Sequence, residues 1–209
     1  MLSRIKNYFG VGIIKKHGET TLQYSVTSSK DLNIIISHFD KYPLISEKRA
    51  DYELFKQALN LFKNKEHLSV SGFKKILMIR TSMNLGLPEE LKIAFPTIVP
   101  VLRPVVLDKD IKDPNWVAGF VSGEGSFIIG IFNRGPNTKP GIQLLFKITQ
   151  HSRDANLLKI LVNYLNCGRY TASLDYNRGE FIVSNLPDMI GKIIPWAFGP
   201  SILFRELNH

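Results

Sequence analysis

Ten residues near the middle of the chain combine an apolar helical pattern with one charge. They read Trp116-Val117-Ala118-Gly119-Phe120-Val121-Ser122-Gly123-Glu124-Gly125. Ala118 and Ser122 are four apart, as are Gly119 and Gly123, so each pair lies on one helix face. Small residues on adjacent faces let a second backbone come unusually close. Two glycines inside a helix cost roughly 1 kcal/mol each against alanine, so that approach is the compensation, and its natural partner is a copy of the same segment. Glu124 stands at the C-terminal end, where the helix dipole favours a cation. A symmetry-related helix would bring a second carboxylate alongside it. Two like charges that close require a divalent metal or a shared proton. Mg²⁺ held by paired carboxylates beside a basic, strand-lined surface is the chemistry of phosphodiester hydrolysis. The simpler reading is an exposed glutamate at a helix end, and an internal repeat decides between the two.

Such a repeat is present. Asn7-Tyr8-Phe9-Gly10-Val11-Gly12 parallels Asn163-Tyr164-Leu165-Asn166-Cys167-Gly168 at an offset of 156. Gln23-Tyr24-Ser25-Val26-Thr27, ending in Asp31-Leu32, parallels Glu180-Phe181-Ile182-Val183-Ser184, ending in Asp188-Met189, at an offset of 157. Pro43 falls opposite Pro200. The second copy has a front, from Asp113 to Asn163, that the first lacks. The first continues beyond Pro43 for some 60 residues that the second lacks. The chain reads as the back of one module joined to the front of the next.

Periodicity supplies the elements that position Glu124. Asp113-Pro114 starts a helix, with Asp as N-cap and Pro at the first position, and Gly125 closes it. Residues 126–134 form a strand in which Phe127, Ile129 and Ile131 alternate with Ser126, Ile128 and Gly130. Gly135-Pro136-Asn137 turns the chain. The returning strand, 142–149, puts Ile142, Leu144, Phe146 and Ile148 on one face and Gln143, Leu145, Lys147 and Thr149 on the other. A helix over 154–165, a hairpin of 169–174 with 179–184, and a helix over 187–194 complete an α+β module of order αββαββα. The first copy supplies a helical stub to Tyr8, strands 11–16 and 21–27, and a helix 31–39. Helices then follow over 46–64, from the Ser69 cap to Asn84, and over 88–94. Three domains result: 1–95, the C-terminal part of a first module with a helical extension; 96–113, a proline-containing extended linker; and 114–209, a second module, truncated.

Composition agrees with a polyanion as partner. The 209 residues carry 27 Lys+Arg against 18 Asp+Glu, a net charge of +9, which points to nucleic acid or an anionic membrane. With 44% apolar residues the chain is not a disordered tail. One cysteine excludes a disulfide framework and a cysteine-cluster metal site. Cys167 reads as a buried thiol, and the five histidines show no ligand spacing. Phe9, Tyr24, Phe39, Phe55 and Phe146 fit core positions. No secretory signal is visible, and the glycine-rich apolar stretch 116–132 is not a membrane span.

Residues 117–125, VAGFVSGEG, resemble a LAGLIDADG motif with Glu124 at the metal-binding acid position. The surrounding module resembles the LAGLIDADG homing endonuclease fold. Asn64-Lys65-Glu66-His67-Leu68 and the region to Phe95-Pro96 resemble the linker of fungal mitochondrial, single-chain, two-motif members. The resemblance runs to about Pro195. It implies two motif helices side by side on a pseudo-twofold axis, antiparallel sheets forming a saddle over double-stranded DNA, and divalent metal, Mg²⁺, held by Glu124 and the Gly123 carbonyl. It implies outward side chains reading bases in the major groove. By alternation these are Ser126, Ile128, Gly130, Phe132 and Arg134, then Gln143, Leu145, Lys147 and Thr149, then Arg169, Arg178, Glu180 and Ile182. In the first copy Lys16, Gln23 and Ser25 are expected to face the same way. Lys147 is the candidate basic residue near the scissile phosphate, beside the reading of an ordinary phosphate-contacting or solvated lysine. The implied location is the mitochondrion, as the product of an organelle gene.

The chain departs from the family pattern in three places. Ser122 replaces the first acid of the motif name, only one motif is present, and Trp196–His209 loses the pattern that follows Pro43. The expectation is a chain cut at both ends that offers one catalytic acid and is a poor enzyme alone. Four readings follow. The first is a metal-dependent DNA endonuclease, or part of one, completed by a second chain or an upstream segment. The others are an RNA-binding maturase acting on intron RNA, an inactive remnant, and a basic structural protein.

Overall fold

The computed structural model describes residues 1–106, 110–133, 135, 139–173 and 176–195. The chain divides into two compact units, Met1–Val106 and Leu107–His209.

The second unit opens with helix α6 (Pro114–Glu124) and continues through strands β3 (Gly125–Phe132) and β4 (Gly141–His151). Helix α7 (Ala155–Leu165), strands β5 (Arg169–Ser173) and β6 (Arg178–Val183), and the short helix α8 (Leu186–Asp188) follow, and α8 continues as a π-turn over Met189–Ile193. The strands form one antiparallel sheet in the order β3-β4-β6-β5. The N-terminus of α6 is capped as the sequence predicts: the Asp113 carboxylate accepts from the Asn115 N–H at 2.8 Å, with Pro114 in the first turn. Its other end differs from the expectation. Gly125 is extended (φ −77°, ψ 140°), not left-handed, and the chain passes from helix to strand without a turn. The glycine is required for space instead, since a Cβ there would lie 2.6 Å from the Val121 carbonyl oxygen and 3.2 Å from the Phe146 ring.

The core of this unit lies between the helices and one face of the sheet. Val117 and Val121 of α6, Leu158, Leu161 and Leu165 of α7, and Phe146, Ile148, Phe181 and Val183 of the sheet are buried together, with Met189 and Ile193. The register explains this set: Phe146 pairs with Val183 and Ile148 with Phe181, so all four share a face. The predicted apolar face of β3 is only partly covered. Phe127 touches Phe146 with ring centroids 5.0 Å apart, but Ile129 and Ile131 are 70% and 73% exposed.

The first unit comprises α1 (Leu2–Phe9), the hairpin β1 (Ile13–His17) and β2 (Thr21–Ser25), and helices α2 (Ser29–Lys41), α3 (Lys48–Lys63), α4 (Val70–Thr81) and α5 (Glu89–Ala94). The Ser69 hydroxyl accepts from the Gly72 N–H at 3.0 Å, which makes it the predicted cap of α4. Phe55 is 38% exposed rather than core, because its neighbour Leu54 takes the buried position on α3. The repeat is realised in backbone geometry. Gly10 and Asn166 are both left-handed caps, of α1 and α7. Gly12 (φ +83°) and Gly168 (φ +76°) occupy one conformation, with a hypothetical Cβ 2.7 Å from the Ser25 oxygen in one and 2.8 Å from the Ile182 oxygen in the other.

Residues 101–106 carry no helix or strand, yet they are tied to the helical extension. The Val101 N–H donates to the Met78 carbonyl, and the Ser82 hydroxyl donates to the Val101 carbonyl at 2.6 Å. Arg103 donates to Asp51 Oδ1 at 2.7 Å, to the Ser82 carbonyl at 2.9 Å and to the Glu47 carbonyl at 3.1 Å. Burial of Asp51 opposes its ionisation. The bonds from Arg103 and the Asn84 N–H, with the charges of Arg103 and Lys48, outweigh burial and hold the carboxyl below its ordinary value.

Two predictions follow. Phe146→Ala leaves a cavity under both helices of the second unit and should destabilise it by about 3–5 kcal/mol, read by denaturant titration of tryptophan fluorescence; a change below about 1 kcal/mol would refute the packing described. Asp51 has a depressed pKa, so its contribution is present above the ordinary carboxylate value near 4 and is lost as pH falls below it. Hydrogen exchange in the first unit should therefore show protection falling on acidification in the wild type. Asp51→Asn should flatten that dependence, and Arg103→Met should cost on the order of 3 kcal/mol near neutral pH.

Candidate functional site

Glu124 is the last residue of α6 and is exposed. It sits immediately before β3, so the only acid of the motif lies where the helix runs into the sheet. Val117 and Val121 commit one face of α6 to the core, and Trp116 stacks on Phe120 with centroids 4.9 Å apart. The opposite face carries Gly119, Ser122 and Gly123, all exposed. A Cβ at Gly119 or at Gly123 would meet nothing within 4 Å. Ser122 turns its hydroxyl inward to the Ala118 carbonyl at 2.8 Å, which keeps that face smooth and low. Among the described residues no cluster of three His, Cys, Asp or Glu side chains could hold a metal. The donors at the foot of α6 are thus the Glu124 carboxylate and backbone carbonyls such as that of Gly123.

The sheet carries a second set of side chains on the face opposite the core. The register aligns Phe132 with Gly141, Gly130 with Gln143 and Ile128 with Leu145. Ser126, Lys147, Ile182 and Arg169 form one rung across all four strands. Thr149, Glu180 and Thr171 form the next, and His151, Arg178 and Ser173 the last. Every sequence-predicted residue of β3 to β6 from Ser126 to Ile182 therefore shares this outer face. Arg134 lies outside the described residues. Thr171, Ser173 and His151 belong to the same face and were missed. Their parity with Arg169 and with Thr149 was the available signal.

In the first unit one expectation is corrected. Gln23 and Ser25 pair with Lys15 and Ile13, whereas Lys16 pairs with Leu22. Lys16 therefore shares its face with Ile14, Leu22 and Tyr24, opposite to Gln23 and Ser25. The missed basic residue on the polar face is Lys15. The offset of 156 carries this information, because it matches Lys15 to Thr171 and Lys16 to Ala172.

The outer face of the second unit is electrostatically organised. Lys147 Nζ lies 2.9 Å from Glu180 Oε1, and Arg178 Nε lies 3.9 Å from the same oxygen. The Glu180 side chain is 15% exposed, so its carboxylate is largely withdrawn from water and held by two cations. The Arg178 guanidinium also sits over the Tyr176 ring at 4.7 Å, and Arg169 donates to the Ser184 hydroxyl at 3.3 Å. No helix among the described residues is long and apolar enough to cross a membrane.

These features meet their match in known proteins. The chain is 39% identical over 209 residues to the Probable intron-encoded endonuclease 2 of Neurospora crassa, covering 94% of this chain and 45% of that protein. A stretch of 69 residues is 70% identical to the Uncharacterized 50.9 kDa protein in ND4 intron 1 of Podospora anserina, 33% of this chain and 15% of that one. Its fold is similar to the LAGLIDADG homing endonuclease I-SmaMI bound to cleaved DNA, with a TM-score of 0.88 and 44% identity over 93% of this chain and 66% of that one. I-SmaMI bound to an uncleaved DNA target in the presence of calcium ions matches at 0.88 and 44%, over 93% and 67%. The chain thus spans less than half the length of the Neurospora relative. The family described as LAGLIDADG endonuclease matches residues 1–59 and 117–197, and with the αββαββα module, the repeat and the acid at the foot of α6 it establishes that the chain belongs to that family.

Proposed function

We propose that the chain is part of a site-specific, metal-dependent double-stranded DNA endonuclease encoded by a mitochondrial intron. The observation that carries this reading is the placement of Glu124. It is an exposed carboxylate at the end of a helix whose glycine face is open, and it leads directly into a sheet with a polar, basic outer face. The similarity to DNA-bound I-SmaMI and to an intron-encoded Neurospora protein supports the substrate class and the genetic setting.

The donor chemistry at the foot of α6 suits a hard cation. Mg²⁺ binds through one or two carboxylates with the remaining positions filled by water and substrate phosphate, and Glu124 with the Gly123 carbonyl are such oxygen donors. A bound divalent ion would supply an activated water and charge stabilisation for the phosphoryl group. The residues of this chain do the rest. Glu124 presents one carboxylate, and the α6 face of Gly119, Ser122 and Gly123 accepts a second motif helix with its own acid. The outer face from Ser126 to Ile182 holds the duplex in register, Arg169 and Arg178 adding positive charge for the backbone. Gln23, Ser25 and Lys15 offer the corresponding face of the first unit. One acid is half of a two-strand cutting site, so the second acid comes from another chain or from a longer form of this one.

Two outcomes test the reading, with host insertion-site duplex and Mg²⁺ as substrate and a complementing module that carries the second motif. Glu124→Gln should lower cleavage by roughly a hundredfold or more while leaving duplex binding intact. Unchanged cleavage would refute the role of Glu124. Gly119→Leu should leave the melting temperature of this chain unchanged or raised, since the new side chain enters open space and leucine favours a helix. The same variant should abolish complementation, and retained cleavage would show that this face is not the helix–helix contact.

A further inference from the structure

The geometry points to the Lys147–Glu180 pair as a two-atom reader of base-pair orientation, an inference that rests on the DNA-binding reading above and specifies it. The two side chains project from neighbouring strands onto the outer face. Lys147 pairs with Ile182 and Glu180 with Thr149, so the ion pair runs diagonally between rungs. It presents a donor, Nζ, and an acceptor, Oε1, 2.9 Å apart.

That spacing is the one displayed at the centre of the major groove. Guanine O6 and cytosine N4 are hydrogen-bonded to each other, as are thymine O4 and adenine N6, so each keto–amino pair shows an acceptor and a donor about 2.9 Å apart. Laid over such an edge, Nζ donates to the keto oxygen while Oε1 accepts from the amino group, and all four atoms are satisfied. Turning the base pair around sets ammonium against amino group and carboxylate against keto oxygen. The pair therefore selects a keto base, G or T, on the strand beneath Lys147. It favours G over T, because guanine N7 offers the lysine a second acceptor.

Three further observations favour base edges over phosphates. Glu180 Oε1 lies 2.9 Å from Lys147 Nζ, so a phosphate approaching that ammonium would meet a carboxylate beside it. Lys147 and Glu180 are 29% and 15% exposed, held by the sheet rather than waving in solvent. Three of their outer-face neighbours, Ser126, Thr149 and Thr171, are short and leave room for a groove edge to approach beside the longer Leu145, Arg178 and Ile182. The assignment gives Lys147 a recognition role in place of the phosphate-adjacent role suggested by the sequence.

Selection from a pool of randomised DNA duplexes in EDTA, using the 209-residue chain, reads binding without cleavage. Three proteins are compared: wild type, Glu180→Gln, and the charge-swapped Lys147→Glu/Glu180→Lys, each checked for native circular dichroism. The wild-type consensus should contain a position restricted to G or T by about tenfold over C or A. Glu180→Gln should relax that position alone, because an amide can donate or accept. The charge swap should invert it to C or A. A wild-type consensus left unchanged by both substitutions overturns the inference and leaves the DNA-binding reading standing. If the swapped protein fails to fold, Glu180→Gln decides by itself. Wild type enriching no duplex above a protein-free control overturns the DNA-binding reading, and the inference with it.

Discussion

Burial of four sheet residues beneath α6 and α7 is the constraint on which the rest of the second unit depends. Phe146, Ile148, Phe181 and Val183 share one face by register and are removed from water together with Val117, Val121, Leu158 and Leu161. Because side chains alternate along a strand, burying these residues leaves Lys147, Thr149, Glu180 and Ile182 no choice but the opposite face. A one-residue slip of β4 would send Lys147 into the core, where an unpaired ammonium is prohibitively costly. The same packing anchors α6 by its valine face and so turns Gly119 and Gly123 outward. The positions of the acid and of the polar outer face are thus consequences of one hydrophobic seam.

The unpaired features of the unit make sense as provisions for contacts beyond it. A helix face made of glycine and serine gains nothing in a lone chain, where a Cβ at Gly119 would meet empty space. It gains much where another backbone comes close, since close approach is what small residues permit. Contrast Gly125, Gly12 and Gly168, each of which is forced by atoms already present. The clashing glycines are required by atoms of this fold, whereas Gly119 and Gly123, helical and unobstructed, are required by nothing in the unit itself.

Much of the α+β architecture was legible because its signals are local. The Asp113-Pro114 cap, the Ser69 cap and the alternation of β4 require only nearest neighbours to be interpreted. Lys16 was misplaced for the complementary reason. The polarity of Lys15-Lys16 is ambiguous, and pairing with Leu22 rather than Gln23 settles the phase. The helix boundary at Gly125 is legible in the residue order but its cause is not, because the crowding by Val121 and Phe146 that demands glycine arises only when helix and sheet pack. The exposure of Ile129 and Ile131 likewise depends on how far the helices extend across the sheet, which no strand pattern states.

By itself the sequence determined which residue is the candidate for the chemistry and which sets of side chains travel together. A lone glutamate closing a glycine-rich helix, a repeat at offsets 156 and 157, and period-two strands are all properties of residue order. Tertiary structure alone decided the partners. Lys147 and Glu180 are 33 residues apart in the chain and 2.9 Å apart in space, and Arg103 crosses 52 residues to reach Asp51. The physical reason is that an ion pair's strength depends on distance and burial, and both are set when β4 is registered against β6 and the 101–106 strap is laid on α3 and α4. Residue order determines the charges available, and the fold determines which two are held together and sheltered from water.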